Sequence, residues 1–298
     1  MNSDLIHAVS EPCLLGESPF WHPLEQALYW CDIAAHRLYR LDPVSGVTRH
    51  WQFDTELACC APVLGGGLLL AMRDGLWRFD PDTGARQRLA RPPYDPAEQR
   101  FNDGKCDPQG RFWVGTINDR RQPKAALYRW SGDALDLCAQ DVTTANGLGW
   151  SLDGSTMYWS DTKAHRIDAF DFDVAAGGLS RRRVHRQFAP RGASEPLESY
   201  GGRPDGAAVD TEGCYWVAMY EGQRLLRLAP DASVQLTLEL PVRCPTMPCF
   251  GGADLKTLYI TSASHGRPEQ ERQAQPLAGC VLALRVDVPG LPVNFAQW

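Results

Sequence analysis

No apolar run in this chain approaches the roughly 18 residues that a membrane-spanning helix needs. Nor does a secretory signal open it: Met1 to Pro12 carries Asp4 and Glu11 and has no long apolar core. A cytoplasmic protein without membrane contact is therefore expected. Positive charge is short as well. The 30 Lys and Arg are outnumbered by 36 Asp and Glu, a formal charge of −6, whereas a nucleic-acid partner calls for a basic surface. The one basic block, Arg181-Arg182-Arg183-Val184-His185-Arg186, reads as a solvated edge strand whose charge deters pairing with other chains. There are ten cysteines but no CxxC pair, so neither a zinc ribbon nor a thioredoxin-type site is signalled. They are expected to be reduced, buried and small. GxSxG elbows, P-loops and HExxH helices are absent too.

What the chain does contain is a repeat. Apolar runs with aromatic and branched residues recur as ALYWCD (27–32), GLLLAM (67–72), RFWVGT (111–116), MYWSDT (157–162), CYWVAM (214–219) and TLYITS (257–262). A further strand-like run follows each, such as RLYRLD (37–42) and RIDAFDFD (166–173). Alternation of apolar and polar residues marks these runs as strands. Turn chemistry such as DPVSG, DPDTG and DPQG separates them. With a fourth run closing most units, the period of roughly 40–58 residues is that of a propeller blade. The sixth unit lacks a fourth run, and Leu5 to Val9 is a candidate to supply it, tying both termini into one blade. The expected fold is all-β: one six-bladed β-propeller of four-stranded blades over residues 1–298, closed by its terminal strands. A β-sandwich is the alternative, disfavoured by the regular recurrence.

Closure of such a ring brings distant residues together. Counting back from each second strand to the start of the first gives Glu17, Asn102, Asn146 and Asp205. Equivalent places in a ring converge on its axis. Two buried carboxylates cost several kcal/mol unless paired, and a divalent cation would satisfy both. An all-oxygen set suits calcium, magnesium or manganese. No histidine falls at these positions, so a three-histidine zinc site is not supported. Singly, Asn146-Gly147 and Asp205-Gly206 read as ordinary turn dipeptides. The segments Asn118-Asp119-Arg120-Arg121 and 262–275 are expected on the same face, the second as a rim or cover of the site in the manner of long polar loops.

The segments LLGESPFWHP, RFNDGKCDPQGRFWVGT, ANGLGWSLDGSTMYWSDT, RPDGAAVDTEGCYWVAM and PCFGGADLKTLYIT resemble the gluconolactonase/regucalcin (senescence marker protein) family of sugar lactonases. The resemblance spans essentially the whole chain and implies a six-bladed propeller. It implies that Glu17, Asn146 and Asp205 bind one divalent metal ion, calcium first, with zinc, manganese, magnesium and iron(II) as alternatives. Arg100 and Asn102 would contact the sugar, and so would Asn118 and Asp119, where some relatives carry acidic residues. Asp103 would support the ligands from behind.

These readings converge on hydrolysis of an aldonolactone, such as glucono-, xylono-, arabino- or galactonolactone, to the aldonic acid. Asp205 would be the catalytic base. A small-molecule lactone is the expected partner, with no nucleic acid or membrane. Other classes stay open: a non-catalytic calcium-binding regulatory protein, or a propeller scaffold for proteins. A paraoxonase-type calcium lactonase would need an axial histidine.

Overall fold

The computed structural model describes residues 6–298. Their strands form six four-stranded antiparallel sheets, each built from consecutive strands except one. In that one, β1 (His7–Ala8) lies beside β24 (Leu282–Arg285), the third strand of the last blade. His7 pairs with Ala283 and Ala8 with Leu282. The N-terminal run thus completes the sixth blade; Leu5, the first residue of that run, lies outside the described residues.

The innermost strands are β2 (Gly16–His22), β6 (Leu57–Pro62), β10 (Gln99–Cys106), β14 (Ala145–Trp150), β18 (Arg203–Val209) and β22 (Pro245–Gly251). Each packs against the inner strands of both neighbouring blades, and β22 against β2 closes the ring. The molecule is a six-bladed β-propeller. Sheets stacked around an axis bury both faces, which is why the second strands are apolar almost throughout. Trp30, Trp113, Trp159 and Trp216 fill equivalent second-strand places in four blades and are essentially inaccessible. The basic block lies in β17 (Gly178–Gln187), an outermost strand, where Arg182 pairs with Asp168 and Arg183 with Asp171 at 2.7 Å each. All ten cysteines are free, and nine are buried. No helix among the described residues is long and apolar enough to cross a membrane.

The turns between first and second strands are fastened by buried aspartates. Asp107 accepts Trp113 Nε1 at 2.8 Å and Arg111 Nε at 2.7 Å. Asp210 accepts Trp216 Nε1 at 2.8 Å, Arg227 Nε at 2.7 Å, and the amides of Glu212 and Cys214 at 3.0 and 2.9 Å. One carboxylate therefore ties turn, core tryptophan and neighbouring strand. Asp210→Ala strands a buried indole N–H and two turn amides and takes one of two carboxylate partners from the half-buried Arg227, which keeps Glu212. It is expected to cost about 2–4 kcal/mol. Urea denaturation measures this; a loss under about 1 kcal/mol would mean that the turn relaxes around the gap.

These turns mark one face of the ring, and the C-terminal segment crosses it. Pro289 O accepts Thr211 N (2.9 Å), Ala296 N donates to Pro62 O (2.7 Å), and Gln297 N donates to Gly110 O (3.0 Å). Leu291 to Asn294 help to enclose a mostly apolar cavity of about 320 Å³ at this end of the channel. The axial polar residues open on the other face.

Candidate active site

All six inner strands share one irregularity. Pairing skips between Glu17 and Phe20, Leu57 and Cys59, Phe101 and Gly104, Asn146 and Gly149, Pro204 and Ala207, and Pro245 and Met247. Each is a β-bulge that inserts one extra residue into the inner strand, which bends and re-aims side chains. Glu17 and Asn146 immediately precede their bulges, whereas Asn102 and Asp205 lie within theirs. The bulge lets residues one step out of register face the same space.

That space is a cavity of about 320 Å³ lined by Glu17, Arg100, Asn102, Asn146 and Asp205, together with Leu15, Ile117, Arg121, Thr144, Thr162, Lys163, Arg203, Tyr220 and His265. The four axial residues expected from counting therefore meet, and each is only 3–7% exposed. Three of them, Asn102, Asn146 and Asp205, are joined with Arg100 by hydrogen bonds of one direction. Arg100 Nη1 donates to Asn102 Oδ1 at 2.8 Å. Asn102 Nδ2 donates to Asn146 Oδ1 at 2.8 Å, and Asn146 Nδ2 donates to Asp205 Oδ1 and to Thr162 Oγ1. Arginine has donors only, so it fixes the orientation of both amides down the line.

The carboxyl groups are poorly compensated. Burial pushes the Glu17 carboxyl well above the usual range, and the charges of Asp205 and Asp103 push it further. Its one hydrogen bond comes from the adjacent Ser18 N, at 3.1 Å. Burial raises Asp205 to about 8 against the pull of Arg203. Asp103 does not line the cavity. Its Oδ2 accepts Leu148 N at 2.9 Å, while its Oδ1 is buried without a partner, and burial raises this carboxyl as well. Three acids thus crowd one region from which water is largely excluded.

Gly147 allows the crowding. Its φ is +61°, and an added Cβ would lie against Ser160 Oγ and Tyr215 Oη and only 2.9 Å from the Asp205 carbonyl oxygen. Gly147→Ala is expected to lose about 2–4 kcal/mol, from left-handed strain plus displacement of β18. Denaturant melts measure this; an unchanged midpoint would show that the bulge adapts.

Asn118 and Asp119 stand off the cavity wall. Asn118 Oδ1 accepts the amides of Arg120 and Gln122 (3.1 and 3.4 Å), which shapes the loop. Asp119 is held outward by Arg73 at 3.0 and 3.1 Å. Arg121 of the same loop reaches the cavity instead. In the 262–275 segment, a short helix α1 (Glu269–Ala274) packs at the rim, with Arg267 bonded to Glu221 and Glu271 at 2.9 and 2.7 Å. His265 is the residue of that segment lining the cavity.

Whether these residues suit a cation is decided by their chemistry. Among the described residues no three His, Cys, Asp or Glu side chains form a metal-type cluster. The cavity set is two carboxylates plus amides, all hard oxygen donors. Asn146 Oδ1 keeps a second lone pair beyond its bond from Asn102. Burial raises both cavity carboxyls, and the charge of Asp205 raises Glu17 further, a strain that a bound cation would relieve. The set fits a hard divalent ion.

A ring of six bladed sheets with acids and amides gathered at one end of its axis defines a propeller with a small-molecule site in its channel mouth. Within that class the chain belongs to the SMP-30/gluconolactonase/LRE-like family, whose region matches residues 15–264. It is 44% identical over 97% of each chain to the 6-deoxy-6-sulfogluconolactonase of Pseudomonas putida. It is 34% identical over 97% of each chain to regucalcin of Xenopus laevis. The solved calcium-binding regucalcin of Agrobacterium tumefaciens superposes with a TM-score of 0.91 at 26% identity, covering 98% of this chain and 97% of the other.

Proposed function

We propose that this protein is a metal-dependent sugar lactonase that opens an aldonolactone to its aldonic acid by hydrolysis at the axial cavity. The observation that carries the reading is the pair Glu17 and Asp205, far apart in sequence, buried on one cavity wall with both carboxyls raised by that burial. The lactonase name of the 44%-identical relative supports it.

Glu17, Asn146 and Asp205 would hold the divalent ion, calcium first. Bound there, such an ion supplies Lewis-acid polarisation of the lactone carbonyl and offsets the charge that builds on its oxygen. Asp205 takes a proton from the attacking water, whose oxygen adds to the carbonyl carbon. The bond from that carbon to the ring oxygen then breaks. The ring oxygen receives the proton as a hydroxyl, and the new carboxylic acid ionises. Burial raises this carboxyl, and a cation bound beside it would keep it ionised and able to accept the proton. Among the described residues Arg100 is bonded through Nη1 alone, to Phe101 O and Asn102 Oδ1. The remaining N–H groups of its guanidinium are available to sugar oxygens. Together with Asn102 it fixes the pose.

The deciding experiment follows acid release from a lactone panel with and without chelator. The panel holds glucono-, xylono-, arabino- and galactonolactone, and the relative's name adds 6-deoxy-6-sulfogluconolactone. Chelator-sensitive opening of at least one member supports the proposal. Calcium binding by calorimetry with no lactone opened would favour the regucalcin-type regulatory reading instead.

A further inference from the structure

The wall of the axial cavity carries more positive than negative groups. Arg100, Arg121, Lys163 and Arg203 stand against Glu17 and Asp205. The protein accounts for two of the four. Arg100 holds Asn102 in place, and Arg203 pairs with Glu221 at 3.1 Å. Arg121 and Lys163 have no carboxylate within ion-pair distance among the described residues, since Asp119 and Glu221 are taken by Arg73, Arg203 and Arg267. Both are exposed while Glu17 and Asp205 are buried, so the free cations occupy the outer end of the same cavity.

The loop carrying Arg121 is constructed rather than loose. Arg121 N donates to Asn118 O at 2.8 Å, and the Asn118 side chain holds the amides on either side of Arg121. Arg121 itself has φ +55°, a left-handed conformation that costs a residue with a Cβ roughly 1–2 kcal/mol. Strain of this kind persists where a fold needs the side chain in one place. Arg73 holds Asp119 with two hydrogen bonds, so the acid of this loop makes its ion pair with Arg73 rather than with Arg121. After burial, the Arg121 charge is the strongest influence lowering Arg100. Like charges at the outer end of a cavity, with no carboxylate within ion-pair distance among the described residues, form a site for an anion.

Opening a neutral lactone creates one negative charge, at the carbonyl end. That end is placed by Glu17, Asp205 and Arg100, deep in the cavity, and leaves the outer cations unused. We infer that the substrate carries a second, permanently anionic group, a sulfonate or a phosphate, on the carbon remote from the lactone carbonyl, and that Arg121 and Lys163 select for it. The inference rests on the lactonase reading above and names its substrate class.

The test compares kcat/KM for 6-deoxy-6-sulfogluconolactone, 6-phosphogluconolactone and glucono-1,5-lactone, each corrected for spontaneous opening. Wild type, Arg121→Gln, Lys163→Gln and Arg121→Lys are measured, with melting temperatures as a control on folding. Wild type is expected to favour one anionic lactone over the neutral one by about thirtyfold or more, a difference on the scale of two charge-assisted hydrogen bonds. The two anionic arms show whether sulfonate or phosphate is the better fit. Arg121→Gln should lower the anionic-to-neutral ratio at least about tenfold, Lys163→Gln less, and Arg121→Lys should restore part of it. Neutral lactone opened as well as both anionic ones, or a ratio unchanged in folded Arg121→Gln, overturns the inference and leaves the lactonase reading standing. If no lactone is opened, both fall.

Discussion

Asp205→Ala is expected to lower kcat for lactone opening by about 10³-fold or more while the propeller stays folded, since removing a general base alone costs 10²–10⁴ and this carboxylate would also hold the cation. The structure gives it little to do for stability. Its side chain sits in the β18 bulge, and its one side-chain hydrogen bond comes from Asn146. Burial has raised its carboxyl to about 8, so near neutral pH the fold must either keep a proton there or bear a disfavoured charge. Replacing it relieves the repulsion on Glu17, whose carboxyl its charge raises. The metal-free variant should therefore melt no lower than metal-free wild type, the exchange of stability for function common at working sites. Asp205→Asn should lose activity comparably, because the amide cannot take up the water's proton. Steady-state rates with the preferred lactone, alongside circular dichroism, decide the matter. A folded variant retaining above about a tenth of wild-type kcat removes Asp205 as the base.

The blades were legible in the sequence because sheets buried on both faces impose apolar second strands with a tryptophan at one phase, as Trp30, Trp113, Trp159 and Trp216 show. The axial set was legible by counting from those strands, though the counting succeeded through an irregularity it did not contain. In register, Glu17 and Asn146 are one step out from Asn102 and Asp205. In an unbroken strand that step turns a side chain to the opposite face. The bulges remove the conflict, and a bulge depends on pairing with the next strand rather than on local periodicity. Asn146-Gly147 and Asp205-Gly206, which read as turn dipeptides, are where the chain enters one of those bulges and where it forms another. The outer wall was less legible. Arg121, Lys163 and His265 come from connections whose direction rests on backbone conformation, such as the left-handed Arg121 and His265's bond to Leu14 O. Patterning could mark residues 118–121 as near the site but not choose among Asn118, Asp119 and Arg121. The C-terminal crossing, with Pro289 and Pro292 and no alternation, gave no sign of its place over the far mouth of the channel.

Removing divalent cations is expected to destabilise the protein most at alkaline pH and least in acid. Glu17 and Asp205 both have folded-state pKa values above those of the unfolded chain, with Asp205 at about 8 against an ordinary 3.8. Below the unfolded values both states are protonated and the raised pKa costs nothing. Between about 4 and about 8 the unfolded chain has released the Asp205 proton that the folded chain keeps, so metal-free stability falls with rising pH, and the raised Glu17 carboxyl adds to the fall. Above about 8 Asp205 is ionised in both states and its share of the loss is complete. A cation binds the ionised pair and competes with those protons, so its apparent affinity climbs over the same window. Thermal melts in chelator and in millimolar calcium, from about pH 5 to about pH 9, should therefore diverge as pH rises, with a gap on the order of 10 °C at the upper end. Asp205→Ala should flatten both curves, since it removes one of the two groups and a ligand together. The opposite trend, a gap widest in acid, would mean that the cation is held by groups other than these carboxylates, and a constant gap of the same size in Asp205→Ala would place its binding site elsewhere on the ring.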